Sequence, residues 1–126
     1  MISLSEELRD ARLQQVLNRL ESGTLILYTE PQPDPPGAAI TTQTALISIP
    51  LPASLTIVDH SFSLLISPQT IAETGLAAWG RITSASDDFV LDGDCGIVSS
   101  TALFRLKTTA LESGKTLAVL LARFSE

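Results

Sequence analysis

The chain has 126 residues, 44% of them hydrophobic and 17% charged, with a formal net charge of −6. That length fits one domain, able to bury roughly two thirds of its unfolded surface, and the composition excludes a disordered chain. The acidic balance excludes the basic footprint that nucleic acid or an anionic membrane requires, and the one cysteine, Cys95, excludes an intrachain disulfide and a cysteine-cluster metal site.

The first residues, "MISLSEELRDARLQQ", lack the charged-then-apolar order of a secretory start, and no apolar run reaches the length of a membrane span. A reducing cytosol is therefore the expected place of synthesis and folding. Residues 4–22 predict a helix. Ser3 and Glu6 have the spacing of a capping box, Glu6, Glu7 and Asp10 suit the positive end of the helix dipole, and Gly23 stands where a left-handed cap belongs. The helix carries two apolar stripes. Leu13, Val16, Leu17 and Leu20 form one, and Leu4, Leu8 and Ala11 form another nearly opposite it. One helix cannot lay opposite faces on a single sheet, so the second stripe predicts a subunit contact with closed two- or threefold symmetry.

After Gly23 the period changes to two. "TLILY" (Thr24 to Tyr28) predicts a buried strand. "EPQPDPPG" (Glu30 to Gly37) carries Pro31, Pro33, Pro35 and Pro36 and predicts a surface loop outside any ladder. Alternation then predicts strands around Ala45–Ile49, Leu55–Ile57, Phe62–Ile66, Gly75–Thr83, Phe89–Cys95, Ala102–Lys107 and Leu117–Ala122, the last buried on both faces. Pro50 and Pro52 end the second strand or confine it to an edge. Residues 67–75 read as irregular. The expected fold is mainly β: an antiparallel β-sandwich or barrel of seven or eight strands behind one N-terminal helix. It forms a single domain over residues 1–126, with the β-part from about residue 24.

The densest chemistry lies in "DDFVLDGDCG" (Asp87 to Gly96). Counted from Asp87 or Asp88, an EF-hand pattern fails at positions three and twelve. "SASDD" (Ser84 to Asp88) instead predicts a hairpin turn, leaving Asp92 and Asp94 on a solvent face and Cys95 as a small buried hydrophobe. "DHS" (Asp59, His60, Ser61) sets triad residue types side by side, where neighbours on a strand point to opposite faces. "ESGK" (Glu112 to Lys115) reads as a turn rather than a phosphate loop. Trp79 reads as a packed or interface aromatic. No catalytic residue, metal ligand or cofactor is predicted. A ligand- or carbohydrate-binding sandwich would need more aromatic side chains than this chain has, and an enzyme would need carboxylates brought together, such as Asp59 with Asp92.

Two segments carry a resemblance. "LRDARLQQVLNRLESGTLILYTEPQP" (Leu8 to Pro33) runs from helix into a strand ending in tyrosine and a proline-bearing loop, and "TGLAAWGRITSASDDFVLDGDCG" (Thr74 to Gly96) forms a hairpin. This layout resembles a group of small proteins encoded in tailed phages and prophages among genes for virion assembly. The resemblance implies a non-enzymatic virion part, either a head decoration protein or a head-tail, neck or tail accessory. Its partners would be its own copies and the major capsid or other virion proteins, first in the host cytoplasm and then in the particle. The expected interface residues are Leu4, Leu8, Ala11, Pro33, Pro35, Pro36 and Trp79.

Overall fold

The structure, a computed structural model, describes residues 5–58, 61–65, 68–117 and 120–125. Ser3, Leu4, Asp59, His60, Ile66, Ala118 and Val119 lie outside them. Helix α1 spans Glu6–Leu20. Its N-cap is Ser5, whose hydroxyl accepts from Leu8 N at 3.2 Å. The expected box at Ser3 is thereby corrected: with Ser5 as cap, Leu8 occupies the position a reciprocal glutamate would need. Leu13, Leu17 and Leu20 are buried, while Leu8 is 47% exposed and Ala11 is exposed.

The end of the helix also departs from expectation. Ser22, not Gly23, takes the left-handed conformation, with φ of 60°. Gly23 is required for space instead: a Cβ there would run into the carbonyl oxygen of Thr83 and lie 2.9 Å from that of Leu20. The helix is thus seated directly on a neighbouring strand.

The strands are β1 (Thr24–Tyr28), β2 (Ala45–Pro50), β3 (Ser61–Leu65), β4 (Gln69–Thr70), β5 (Gly75–Leu76), β6 (Trp79–Thr83), β7 (Phe89–Ile97), β8 (Phe104–Leu106), β9 (Ala110–Leu111), β10 (Thr116–Leu117) and β11 (Leu120–Ser125). Seven of them make one sheet in the order β2-β1-β6-β7-β8-β11-β3, and β10-β4 and β5-β9 form two small ribbons. The chain is mainly β behind one N-terminal helix, as the alternation predicts. The pairings are antiparallel except β7 with β8, which is parallel, so the sheet is mixed. β2 and β3 end the order without pairing with each other, and no barrel closes. β7 joins the halves. Its residues Phe89–Asp94 pair with β6 and Cys95–Ile97 pair with β8.

Several predicted strands are redrawn. Gly75–Thr83 is two strands, because at residues 77 and 78 the chain changes partners. Ala77 N donates to Thr109 O, Ala78 N to Tyr28 O, and Ala78 O accepts from Cys95 N. Leu55 and Ile57 pack partly against the core from an irregular stretch, and the stretch read as irregular after residue 67 holds the short strand β4 and ends as β5 begins at Gly75. Of the last predicted strand, Leu117 lies in β10 and Leu120–Ala122 in β11, and Ala118 and Val119 lie outside the described residues. Leu117 and Ala122, which the alternation assigns to opposite faces, are both buried, and Arg123 just beyond the predicted strand is exposed. β2 lies at the sheet edge, where Pro50 is tolerated.

One apolar cluster unites both halves of the sheet with the helix. Leu25, Leu27, Ile49 and Ile82 meet Leu13, Leu17 and Leu20 from above and Phe104 and Leu106 from the far half. The opposite face of β1, β6 and β7 carries Tyr28, Trp79, Arg81 and Asp92, by the registers Tyr28↔Trp79 and Arg81↔Asp92. That face supports the proline loop. Because Gly23 seats the helix on β6, Gly23→Ala is expected to destabilise the protein by about 1–3 kcal/mol through overpacking against rigid backbone. Urea unfolding measures it, and an unchanged midpoint would contradict this seating.

Candidate functional site

The loop of residues 30–44 is mounted on the β6–β7 hairpin by a single polar cluster. Between those strands Ser84 forms the predicted turn: its N–H donates to Asp88 O at 2.8 Å, and its hydroxyl accepts from Ser86 N and Asp88 N. A register shift between Ile82 and Thr83 then sets Thr83 opposite Phe89 and Ile82 opposite Leu91, leaving Val90 as the extra residue. The bulge corrects the predicted faces. Phe89 does not share a face with Leu91 and Cys95; it joins Arg81 and Asp92.

Arg81 lies between two rings, its guanidinium carbon 5.3 Å from the centroid of Trp79 and 5.4 Å from that of Phe89. Its Nε and Nη2 donate to the two oxygens of Asp92 at 2.7 and 3.0 Å. The Asp92 side chain is 0% exposed and that of Arg81 12%, so the pair is buried. The expectation of Asp92 on a solvent face is overturned, because the loop lies over it. The hydrogen bond Arg81 donates to Asp92, ahead of the opposing cost of burial, raises the pKa of Arg81, which stays charged. Both partners also reach the loop. Asp92 accepts from Gly37 N at 3.0 Å, and Arg81 Nη2 donates to Ala38 O at 2.8 Å. Gly37 has φ of 85°, and a Cβ there would press on the Phe89 ring at 3.1 Å, so this approach requires glycine.

The rest of the loop is tied as firmly. Thr29 and Thr44 close its base, with Thr29 N donating to Thr44 O at 3.1 Å and Thr44 N to Thr29 Oγ1 at 2.9 Å. Gln43 Nε2 donates to Pro31 O at 2.6 Å. Pro35 and Pro36 stand exposed at the tip and Pro33 is half-buried. Trp79 supports the base from beneath: it stacks on Tyr28 with centroids 4.6 Å apart and donates Nε1–H to Thr29 O at 2.8 Å. Trp79 is fully buried and presents no surface to a partner. Of its two sequence readings, the packed aromatic is the one found. Tyr28 is also buried, and desolvation raises its pKa against the opposing charge of Arg81, with a smaller push upward from Asp92.

The remaining candidates stand apart. Asp94 accepts from Leu103 N at 2.9 Å. Burial, and after it the Asp94 carboxylate, pushes the Cys95 thiol up to about 12, far from the range of a nucleophilic thiolate. Among the described residues, no three His, Cys, Asp or Glu side chains gather in one place. Glu112 pairs with Lys115 at 3.0 Å on the exposed turn before β10. A cleft of about 770 Å³ lies beside β7, lined by Leu76 and Ile97, which are 65% and 49% exposed, together with Glu30 and Ser100. Neither side chain stood out in the sequence, since the alternation predicted Leu76 to be interior to a continuous strand. Arg81 and Asp92 were also missed as a unit, because the predicted turn sets Thr83 opposite Phe89 and, without the bulge at Val90, would put Leu91 rather than Asp92 across from Arg81.

No family model, curated protein or solved structure matches the chain.

Removing one member of a buried ion pair leaves the other charge uncompensated. Asp92→Ala is therefore expected to lower stability by about 3–5 kcal/mol, and the double variant Arg81→Met/Asp92→Leu to lose less. Equilibrium unfolding of the two variants checks the order, and a double variant no better than the single one would contradict the buried-pair account.

Proposed function

We propose that this protein is a non-enzymatic structural part of a tailed-phage particle, docking on the head lattice as a decoration protein. The observation that carries the reading is the anchored proline loop. Pro35 and Pro36 are exposed on a segment held at Thr29, Pro31, Gly37 and Ala38. A surface already fixed in place loses little conformational entropy when it docks, which favours repeated attachment to a lattice. The resemblance of the helix-to-strand entry and the Trp79 hairpin to virion-assembly proteins supports the same reading. Trp79 and Tyr28, the aromatic pair a sugar platform would need, are stacked and buried, which favours assembly over carbohydrate binding. The protein would pass from host cytoplasm to virion without a cofactor.

Self-association belongs to the proposal. Leu8 and Ala11 are exposed on α1 opposite its core stripe, where a second copy would cover them. Light scattering is expected to show a dimer or trimer for the wild type and a monomer for Leu8→Asp; a monomeric wild type would remove this part of the reading.

Quantitative mass spectrometry of purified virions tests the function. A copy number comparable to that of the major capsid protein is expected for decoration. A small fraction of it would move the protein to the neck or tail, and complete absence from the particle would overturn the structural reading.

A further inference from the structure

We infer that the groove between α1 and the N-terminal half of β7 receives an extended, acidic segment of a partner protein. The inference deepens the docking reading above and rests on it. The floor of the groove is a strand edge. Residues Phe89–Asp94 pair with β6 on one side, and β8 lines the other side only from Cys95 onward. Cys95 N donates to Ala78 O, on the β6 side. Peptide groups alternate in direction along a strand, so Leu91 and Gly93 share that side and the N–H and C=O of Asp92 turn away from β6. Among the described residues, no strand pairs with that outward side of Phe89–Asp94. An outward N–H and C=O on the same extended residue select one kind of occupant, another extended backbone.

The walls specify its side chains. Two adjoining hollows, of about 440 and 310 Å³, share Arg19 and Val90. Val16 and Leu91 supply apolar surface, each packed only partly against the core, and Phe89, 41% exposed, lies at one end with Asp88. The cation of the groove is Arg19, in the last turn of the helix. Arg12, Gln15 and Arg19 recur at helical spacing, so they continue this surface along one line of α1. A chain of net charge −6 therefore sets local positive charge beside an apolar wall and an open ladder. An added strand alternates its side chains, so one set meets Val16 and Leu91 while a carboxylate of the partner reaches Arg19.

Amide exchange and peptide titration by NMR on the full chain test the inference. In the free protein, Asp92 N–H should exchange with solvent far faster than Leu91 and Gly93. The probe is acetyl-Glu-Val-Glu-Val-Thr-Val-amide, with acetyl-Lys-Val-Lys-Val-Thr-Val-amide as its charge-reversed control. The acidic peptide should shift the amide signals of Arg19, Val90 and Asp92 and slow Asp92 exchange at least tenfold, and the basic one should not. Arg19→Glu should invert that preference while leaving the melting temperature near that of the wild type. An Asp92 amide already protected in the free protein would overturn the inference. So would an acidic peptide that leaves the groove signals unmoved at millimolar concentration, or an Arg19→Glu variant with unchanged preference. Absence from virions would instead sink the particle reading and leave these outcomes standing.

Discussion

The ion pair between Arg81 and Asp92 decides how the β6–β7 hairpin is used. Both side chains leave water, which is costly unless nearly every polar atom finds a partner. Asp92 meets this condition with two bonds from the guanidinium and one from Gly37 N, and Arg81 adds Ala38 O and two aromatic faces. The pair therefore needs the loop for its own satisfaction, and the loop needs the pair for its position. A sheet face that would otherwise be solvated becomes an inner layer, with α1 covering the reverse face. Both sides of β6 are consequently buried, which explains why Trp79 and Ile82, on opposite faces of one strand, are each fully buried.

Much of the architecture was legible because it rests on local rules. The period of the leading helix, the strand Thr24–Tyr28, the turn Ser84–Asp88 and the edge position of Pro50 all follow from spacing and backbone chemistry. What escaped depends on contacts distant in sequence. Gly23 looked like a conformational signal, whereas its missing side chain makes room for Thr83. Phe89 looked paired in direction with Leu91, and one extra residue in the ladder reversed it. Asp92 looked solvated because nothing local announces that a loop some fifty positions earlier will cover it; Gly37 N meets it across a separation of 55 residues.

The candidate site was less legible than the fold for the same reason. The proline segment declared itself by composition, and Leu8 by its place on the helix, but the groove at Arg19 did not. Arg19, Val16 and Val90 belong to elements that alternation assigns separately, and only the placement of α1 beside the unpaired edge of β7 makes them one surface. An open ladder is invisible in a sequence, since every strand reads the same whether one neighbour or two will flank it.

The position of β3 in the sheet has a consequence for how the chain acquires its shape. β3 takes its ladder partner from β11, with Ser61 opposite Ser125 and Leu65 opposite Leu121. The hairpins β1–β2 and β6–β7 can assemble early, because each pairs strands consecutive in the chain. β3 must wait until nearly all the intervening chain has emerged, because closing so large a loop costs entropy before any pairing repays it. During that interval "SFSLL" is a nascent strand with no mate, the state in which apolar segments find the wrong chain. Kinetic partitioning between completion of the far half and intermolecular pairing thus falls on the β3–β11 ladder, far from the loop and the groove that give the molecule its surface.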